Sequence, residues 1–349
     1  MTTPPPDSDL RVGVVGGGSW GTALANLLGG KGIAVDLWVL EEAICEQITR
    51  ERENGLFLPG VGLSPNISAS NDLARVVADK PLVLLVVPSH VMRPVSLQVA
   101  ANLTPGTVVV TASKGIENDT LLTMAGVLQE TLTDVDPDRL AALSGPSFAK
   151  EVAAQVPTAV SAASRSLKTA EFVQQVFATP YFRVYTSDDV VGVELGGAVK
   201  NVVAIASGMI DGLALGLNTR AALITRGLAE IRRLGVKMGA RPMTFAGLAG
   251  IGDLILTCTG DLSRNYTVGK QIGQGLTLEE ILGQMHMVAE GVKNAESVYH
   301  LSLKQDVEMP IAHEVYRILY EAAPPLEAVQ RLMTRDLKPE IEPHEIGGL

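Results

Sequence analysis

The residues that could do chemistry fall in a few short segments. Gly16-Gly17-Gly18-Ser19-Trp20-Gly21 has the spacing G-x-G-x-x-G. It follows a β-branched run, Arg11 to Val15, and opens a helix expected from Gly21 to Leu28. In that context Gly16 permits a tight turn and Gly18 lets the backbone approach a pyrophosphate. Gly21 lets the helix pack closely on the strand, with its N–H groups facing the phosphates. Glu41 lies twenty residues beyond Gly21, where an acid would bind ribose hydroxyls, and Glu42 follows it. An ordinary glycine turn with solvated acids is the plainer alternative. Leu40-Glu41-Glu42 offers no cation to a 2′-phosphate, so the cofactor expected is NAD, with NADP possible but less favoured.

A second group suits proton transfer and anion binding. Lys200 lies in the apolar stretch Gly196 to Ala204, where desolvation would favour the neutral amine. Such a lysine can serve as base when a secondary alcohol is oxidised and as acid in the reverse direction. The commoner fate of a lysine is to lie along the protein surface. Asp253 could orient that ammonium or a substrate hydroxyl, or simply cap a helix. Ser263-Arg264-Asn265 precedes an expected helix and could clamp a phosphate, Arg264 bidentately; a solvated turn is the alternative. Lys114 follows a strand at 107–112, at the carboxyl edge where open α/β sheets bind ligands, or else is a loop charge. His90 either borders the nicotinamide or begins a helix, and it stays outside the catalytic set.

These residues need a scaffold, and the pattern supplies one. Strands are expected at 11–15, 35–40, 82–87, 107–112, 140–143 and 158–162, with helices at 91–101 and 121–132 between them. Continuous apolar strands alternating with helices imply a parallel sheet covered on both faces. From Asp188 the pattern is almost wholly helical, at 189–211, 219–234, 277–284, 294–304 and 311–321. The fold expected is α/β: a Rossmann-type doubly wound sheet followed by an all-α domain. The domains expected are residues 1–190 for the dinucleotide and 191–349 for substrate and catalysis.

Further segments point to one family. The chain contains Val87-Pro88-Ser89-His90, Ser113-Lys114-Gly115 and Ser144-Gly145-Pro146-Ser147-Phe148-Ala149-Lys150-Glu151. Then come Glu194-Leu195-Gly196-Gly197-Ala198-Val199-Lys200-Asn201, Gly250-Ile251-Gly252-Asp253-Leu254, Ser263-Arg264-Asn265 and Val288-Ala289-Glu290-Gly291. In this order the set, from Val12 to about Tyr320, resembles the NAD(P)-dependent glycerol-3-phosphate dehydrogenases. The resemblance implies a Rossmann-type domain, a helical domain and a site between them. It implies interconversion of sn-glycerol 3-phosphate and dihydroxyacetone phosphate, supplying glycerol 3-phosphate for phospholipid synthesis, and a homodimer. By resemblance, Ser19, Trp20, Ala149, Arg264, Val288 and Glu290 contact the dinucleotide, and Lys114 lies near both cofactor and substrate. Gly145, Ser147, Asp253, Ser263, Arg264 and Asn265 border the substrate, and Lys200 is the proton acceptor. Many bacterial members carry Arg or His where this chain has Leu40. Two rivals stay open: another Rossmann-plus-helical dehydrogenase acting on a hydroxy acid, and a regulator that binds NAD without turnover.

Composition narrows the classes. Of 349 residues 46% are hydrophobic and 19% charged, enough for two packed cores. Aromatics are only 4%, so those cores must be aliphatic. A net charge of −10 disfavours non-specific nucleic-acid binding. Cys45, Cys258 and the histidines have no metal-ligand spacing, and no metal is expected. Met1 to Asp7 lacks the pattern of a signal peptide and reads as a loose tail, as does Glu340 to Leu349. Val202 to Leu217 reads as a buried helix rather than a membrane span, so a cytoplasmic protein is expected.

Overall fold

The computed structural model describes residues 10–285 and 289–340. Both expected tails, apart from Glu340, lie outside them. The chain forms two compact units, Met1–Glu117 with Leu122–Glu194, and Asn118–Leu121 with Leu195–Leu349.

The first unit is an α/β sheet structure. Its elements run β1 (Arg11–Val15), α1 (Ser19–Gly30), β2 (Ala34–Trp38), α2 (Glu42–Glu51), β3 (Ile67–Ser70), α3 (Leu73–Val77) and β4 (Leu82–Leu85). They continue with α4 (Met92–Ala100), β5 (Val108–Thr111), α5 (Met124–Thr131), β6 (Leu140–Ser144), α6 (Ala149–Ala153), β7 (Thr158–Ser164), α7 (Leu167–Phe177) and β8 (Phe182–Ser187). The eight strands lie in the order β3-β2-β1-β4-β5-β6-β7-β8. β1 has neighbours reached by opposite windings, β2 on one side and β4 on the other, which is the topological switch point of a doubly wound sheet.

Alternation along each strand builds two cores, one per face. Leu82 and Leu84 pack with Leu24 and Leu28 of α1. Val83 and Leu85 pack with Met92 and Val99 of α4 and with Val127 and Leu128 of α5. Every residue of β4, β5 and β6 is buried, so the continuous apolar runs reflect helices on both faces.

The expected parallel sheet needs one correction. β3 through β6 pair in parallel across the sheet, but β7 is antiparallel to β6, and β8 is parallel to β7. The connection from β6 to β7 passes through the short helix α6, and the chain then returns beside β6 in the opposite sense.

The second unit is helical: α8 (Val190–Gly212), α9 (Gly216–Lys237), α10 (Asp253–Thr259), α11 (Arg264–Gly273), α12 (Leu278–Gly283), α13 (Glu290–Gln305), α14 (Pro310–Tyr320) and α15 (Pro325–Met333). α8 begins in the first unit, and from Leu195 onward it belongs to the second. It is long and apolar enough to cross a membrane, yet 89% of its most apolar window is buried in the fold. Two glycines let α11 press directly onto α8. A Cβ at Gly208 would lie 2.0 Å from the Tyr266 carbonyl oxygen, and one at Gly269 would lie 1.9 Å from that of Ile205. This backbone contact fixes the register between the lysine on α8 and the polar cluster that begins α11.

Candidate active site

In the first unit the candidate residues gather at the carboxyl ends of β1, β2, β5 and β6. The glycine turn leaves β1 with Gly16 at φ 123°, a left-handed conformation that suits glycine. A Cβ at Gly21 would lie 1.9 Å from the Gly16 carbonyl oxygen, so helix and turn can pack this closely only without side chains. At Gly18, by contrast, a Cβ would meet nothing within 4 Å. That open side is where the backbone can receive a phosphate group. α1 begins at Ser19, with N–H groups in its first turn that have no acceptor within the helix. Ser19 Oγ donates to the Phe57 carbonyl oxygen at 2.6 Å. Trp20 is half-buried against the sheet core, and its Nε1 is buried with no hydrogen-bond partner among the described residues.

Glu41 stands just beyond β2, immediately before α2, and is exposed, as is Leu40 at 71%. Asn71 holds this corner by donating to the Val39 carbonyl oxygen at 2.6 Å. Lys114, beyond β5, donates to the Gly145 carbonyl oxygen at 3.0 Å, and Ser147 Oγ donates to the same oxygen at 3.1 Å. Three candidates are thereby joined at one sheet edge, with Ala149 following as the first residue of α6.

The second unit brings the proton-transfer candidates together. Lys200 is 6% exposed and Asp253 1% exposed, which rules out the surface lysine. Lys200 Nζ forms an ion pair with Asp253 and donates to Thr257 Oγ1 at 2.8 Å. Thr257 Oγ1 in turn donates to the Asp253 carbonyl oxygen at 2.7 Å. Of the two readings of Asp253 the geometry has the first: Gly252 takes the N-cap place of α10, and the Asp253 carboxylate turns to the lysine. The lysine is desolvated, as its apolar neighbours imply, but the fold gives it a buried counter-ion, which lets an ammonium persist there.

Ser263 caps α11, accepting from the Tyr266 N–H at 3.2 Å. Arg264, the first residue of that helix, is exposed, and the negative charge of Glu290 acts on it. Asn265 is buried, and both ends of its side-chain amide have partners within the protein. Its Nδ2 donates to Asn201 Oδ1 at 2.9 Å, and its Oδ1 accepts from the Gly291 N–H at 2.9 Å. Asn265 therefore binds the residue after Lys200 to the start of α13, whose first residue is Glu290. Val288 lies outside the described residues.

Sequence reading missed Thr257 and Asn201. Thr257 had a signal, since it lies one helical turn after Asp253 on the same face. Asn201 acts through a contact made only by the fold. Among the described residues no group of histidines, cysteines and acids could hold a metal.

The chain matches the family models for the NAD-dependent glycerol-3-phosphate dehydrogenase N-terminus over residues 11–170 and C-terminus over residues 189–330. It is 58% identical over 331 residues to the glycerol-3-phosphate dehydrogenase [NAD(P)+] of Syntrophobacter fumaroxidans, covering 95% of this chain and 97% of that one. The enzyme of the same name from Geobacter sulfurreducens is 58% identical over 330 residues, covering 95% and 98%. The crystal structure of glycerol-3-phosphate dehydrogenase from Coxiella burnetii superposes with a TM-score of 0.90 at 39% identity, covering 94% of this chain and all of that one.

Proposed function

The chain belongs to the NAD-dependent glycerol-3-phosphate dehydrogenase family, and on that premise we propose a mechanism for its reversible oxidation of sn-glycerol 3-phosphate to dihydroxyacetone phosphate. It is an NAD(P)-dependent oxidoreductase with a Rossmann-type domain and a helical domain. The observation that carries the mechanism is the buried Lys200–Asp253–Thr257 cluster, tied through Asn201 and Asn265 to the Ser263-Arg264 turn.

The glycine turn fits a dinucleotide, because Gly18 is open on the side a pyrophosphate would occupy. A nicotinamide bound there would supply the hydride acceptor for oxidation at C2 and the hydride donor for the reverse reaction. In reduction, Lys200 as an ammonium gives a proton to the carbonyl oxygen of dihydroxyacetone phosphate as C2 gains the hydride. In oxidation, the neutral amine removes the hydroxyl proton. Asp253 and Thr257 hold Nζ in place and balance its charge. Arg264 binds the substrate phosphate together with Ser263 and Asn265, and Lys114, Gly145 and Ser147 are further substrate residues. Ser19, Trp20, Ala149 and Glu290 contact the cofactor. Glu41 takes the ribose hydroxyls and, with Leu40, favours NAD over NADP.

We further propose that residues 1–190 hold the dinucleotide and 191–349 the substrate and the catalytic lysine. The protein would work as a cytoplasmic homodimer, without inserting into the membrane or binding nucleic acid, and would supply glycerol 3-phosphate for phospholipid synthesis. Its mass in solution tests the dimer. The NADH-to-NADPH ratio of kcat/KM tests the cofactor preference, and equal values would remove the role given to Leu40 and Glu41.

A further inference from the structure

Asn54 lies in the segment between α2 and β3, far along the chain from the glycine turn, and is completely buried. Its Nδ2 donates to the Gly17 carbonyl oxygen at 2.8 Å and to Thr22 Oγ1 at 2.9 Å. Thr22 Oγ1 passes its own hydrogen to the same Gly17 oxygen at 3.1 Å. Asn54 Oδ1 accepts from the Phe57 N–H at 3.1 Å, so the side chain is itself held on both sides. The Gly17 oxygen thus takes two side-chain hydrogen bonds, one from each member of a buried pair.

That arrangement controls one peptide plane. The Gly17–Gly18 bond is trans, so the Gly17 C=O and the Gly18 N–H point in opposite directions. Neither residue has a Cβ, so this peptide could turn over at little steric cost. A turned peptide would present a carbonyl lone pair where an N–H donor is needed for an anion. Two donors on the Gly17 oxygen hold it the other way.

We infer that Asn54, working with Thr22, is a positioning residue for the cofactor: it locks the Gly17–Gly18 peptide with the Gly18 N–H turned toward the pyrophosphate. The inference rests on the glycine turn being the dinucleotide site. Asn54→Asp keeps the shape but replaces the donor with a carboxylate that repels the Gly17 oxygen.

The test is NADH affinity by fluorescence titration, below the melting temperature of each variant, alongside steady-state kinetics. In Asn54→Asp the NADH Kd should rise roughly tenfold to a hundredfold, the loss expected when a hydrogen bond to a charged group is misplaced. At saturating NADH, kcat and KM for dihydroxyacetone phosphate should stay within about threefold of wild type. A purely structural role would lower the melting temperature and leave the Kd alone, which would overturn the inference. So would an equal rise in KM for dihydroxyacetone phosphate. Should Asn54→Asp not fold, Thr22→Val removes the second donor isosterically. It should raise the NADH Kd less, in the same direction, and a wild-type Kd in folded Thr22→Val would likewise overturn the inference. Wild-type protein that does not bind NADH would overturn the dinucleotide reading and this inference with it.

Discussion

Replacing Lys200 by Met should lower both catalysis and stability, and a second substitution at Asp253 should then separate the two. The side chains of Lys200 and Asp253 are 7% and 1% exposed, and Met fills much of the lysine volume. The substitution leaves the Asp253 carboxylate buried without its ammonium. Removing one partner of a buried ion pair costs about 3–5 kcal/mol. At about 2–4 °C per kcal/mol for a cooperative unit of this size, the melting temperature should fall by roughly 6–20 °C. Turnover should fall by about 10²–10⁴, the usual contribution of a positioned acid or base. NADH affinity should stay near wild type, because the glycine turn is untouched. The double variant Lys200→Met/Asp253→Leu replaces both charges with apolar groups and should recover most of the stability but none of the turnover. Calorimetry gives the first quantity, NADH oxidation the second and fluorescence titration the third. A Lys200→Met variant that keeps more than about a tenth of wild-type turnover, or a double variant no more stable than the single one, would refute the roles given to this ion pair.

Three further outcomes follow from the same geometry. Gly18→Ala should fold with a wild-type melting temperature yet bind NADH weakly, whereas Gly21→Ala should disturb the turn itself, because its Cβ would lie 1.9 Å from the Gly16 oxygen. Equal effects of the two on circular dichroism would count against that distinction. Arg264→Ala should raise KM for dihydroxyacetone phosphate roughly 10- to 100-fold and leave the slow reaction with unphosphorylated dihydroxyacetone unchanged; an equal loss on both substrates would remove Arg264 from the phosphate site. Glu230 is buried, accepts from the Ile311 and Ala312 N–H groups, and is pushed by desolvation from 4.5 up to about 7. Its protonated form is the one the fold favours. That stabilisation is full below about pH 4.5 and is lost as pH rises through 7. At about 1.4 kcal/mol per pH unit the loss is about 3 kcal/mol across that window. Glu230→Gln should flatten the profile, and denaturant titrations at pH 5 and 8 that show the same slope in both proteins would contradict this.

What the sequence made legible was local. The glycine turn, its strand and its helix are neighbours in the chain, and spacing alone displayed them. Lys200, Asp253 and Ser263-Arg264-Asn265 could each be picked out, but each with a bland alternative that only the fold removed. Burial excluded the surface lysine, and the ion pair excluded the helix cap. Asn54 and Asn201 were invisible because an asparagine in a loop or helix has many ordinary uses. Their roles come from partners brought together by the sheet and by the glycine contact between α8 and α11. The direction of β7 was equally hidden, since an apolar run such as Thr158 to Ala162 reads the same in either sense. β3, with the sequence Ile67-Ser68-Ala69-Ser70, was too short and polar to stand out.

The most direct test is NADH oxidation with dihydroxyacetone phosphate, run beside unphosphorylated dihydroxyacetone, with wild type and Lys200→Met compared under identical conditions. Wild type should oxidise NADH rapidly only with the phosphorylated ketone, and Lys200→Met should lose that activity while still binding NADH. Wild-type protein that binds NADH but leaves it unoxidised, or that turns over both ketones equally, would contradict the proposed mechanism.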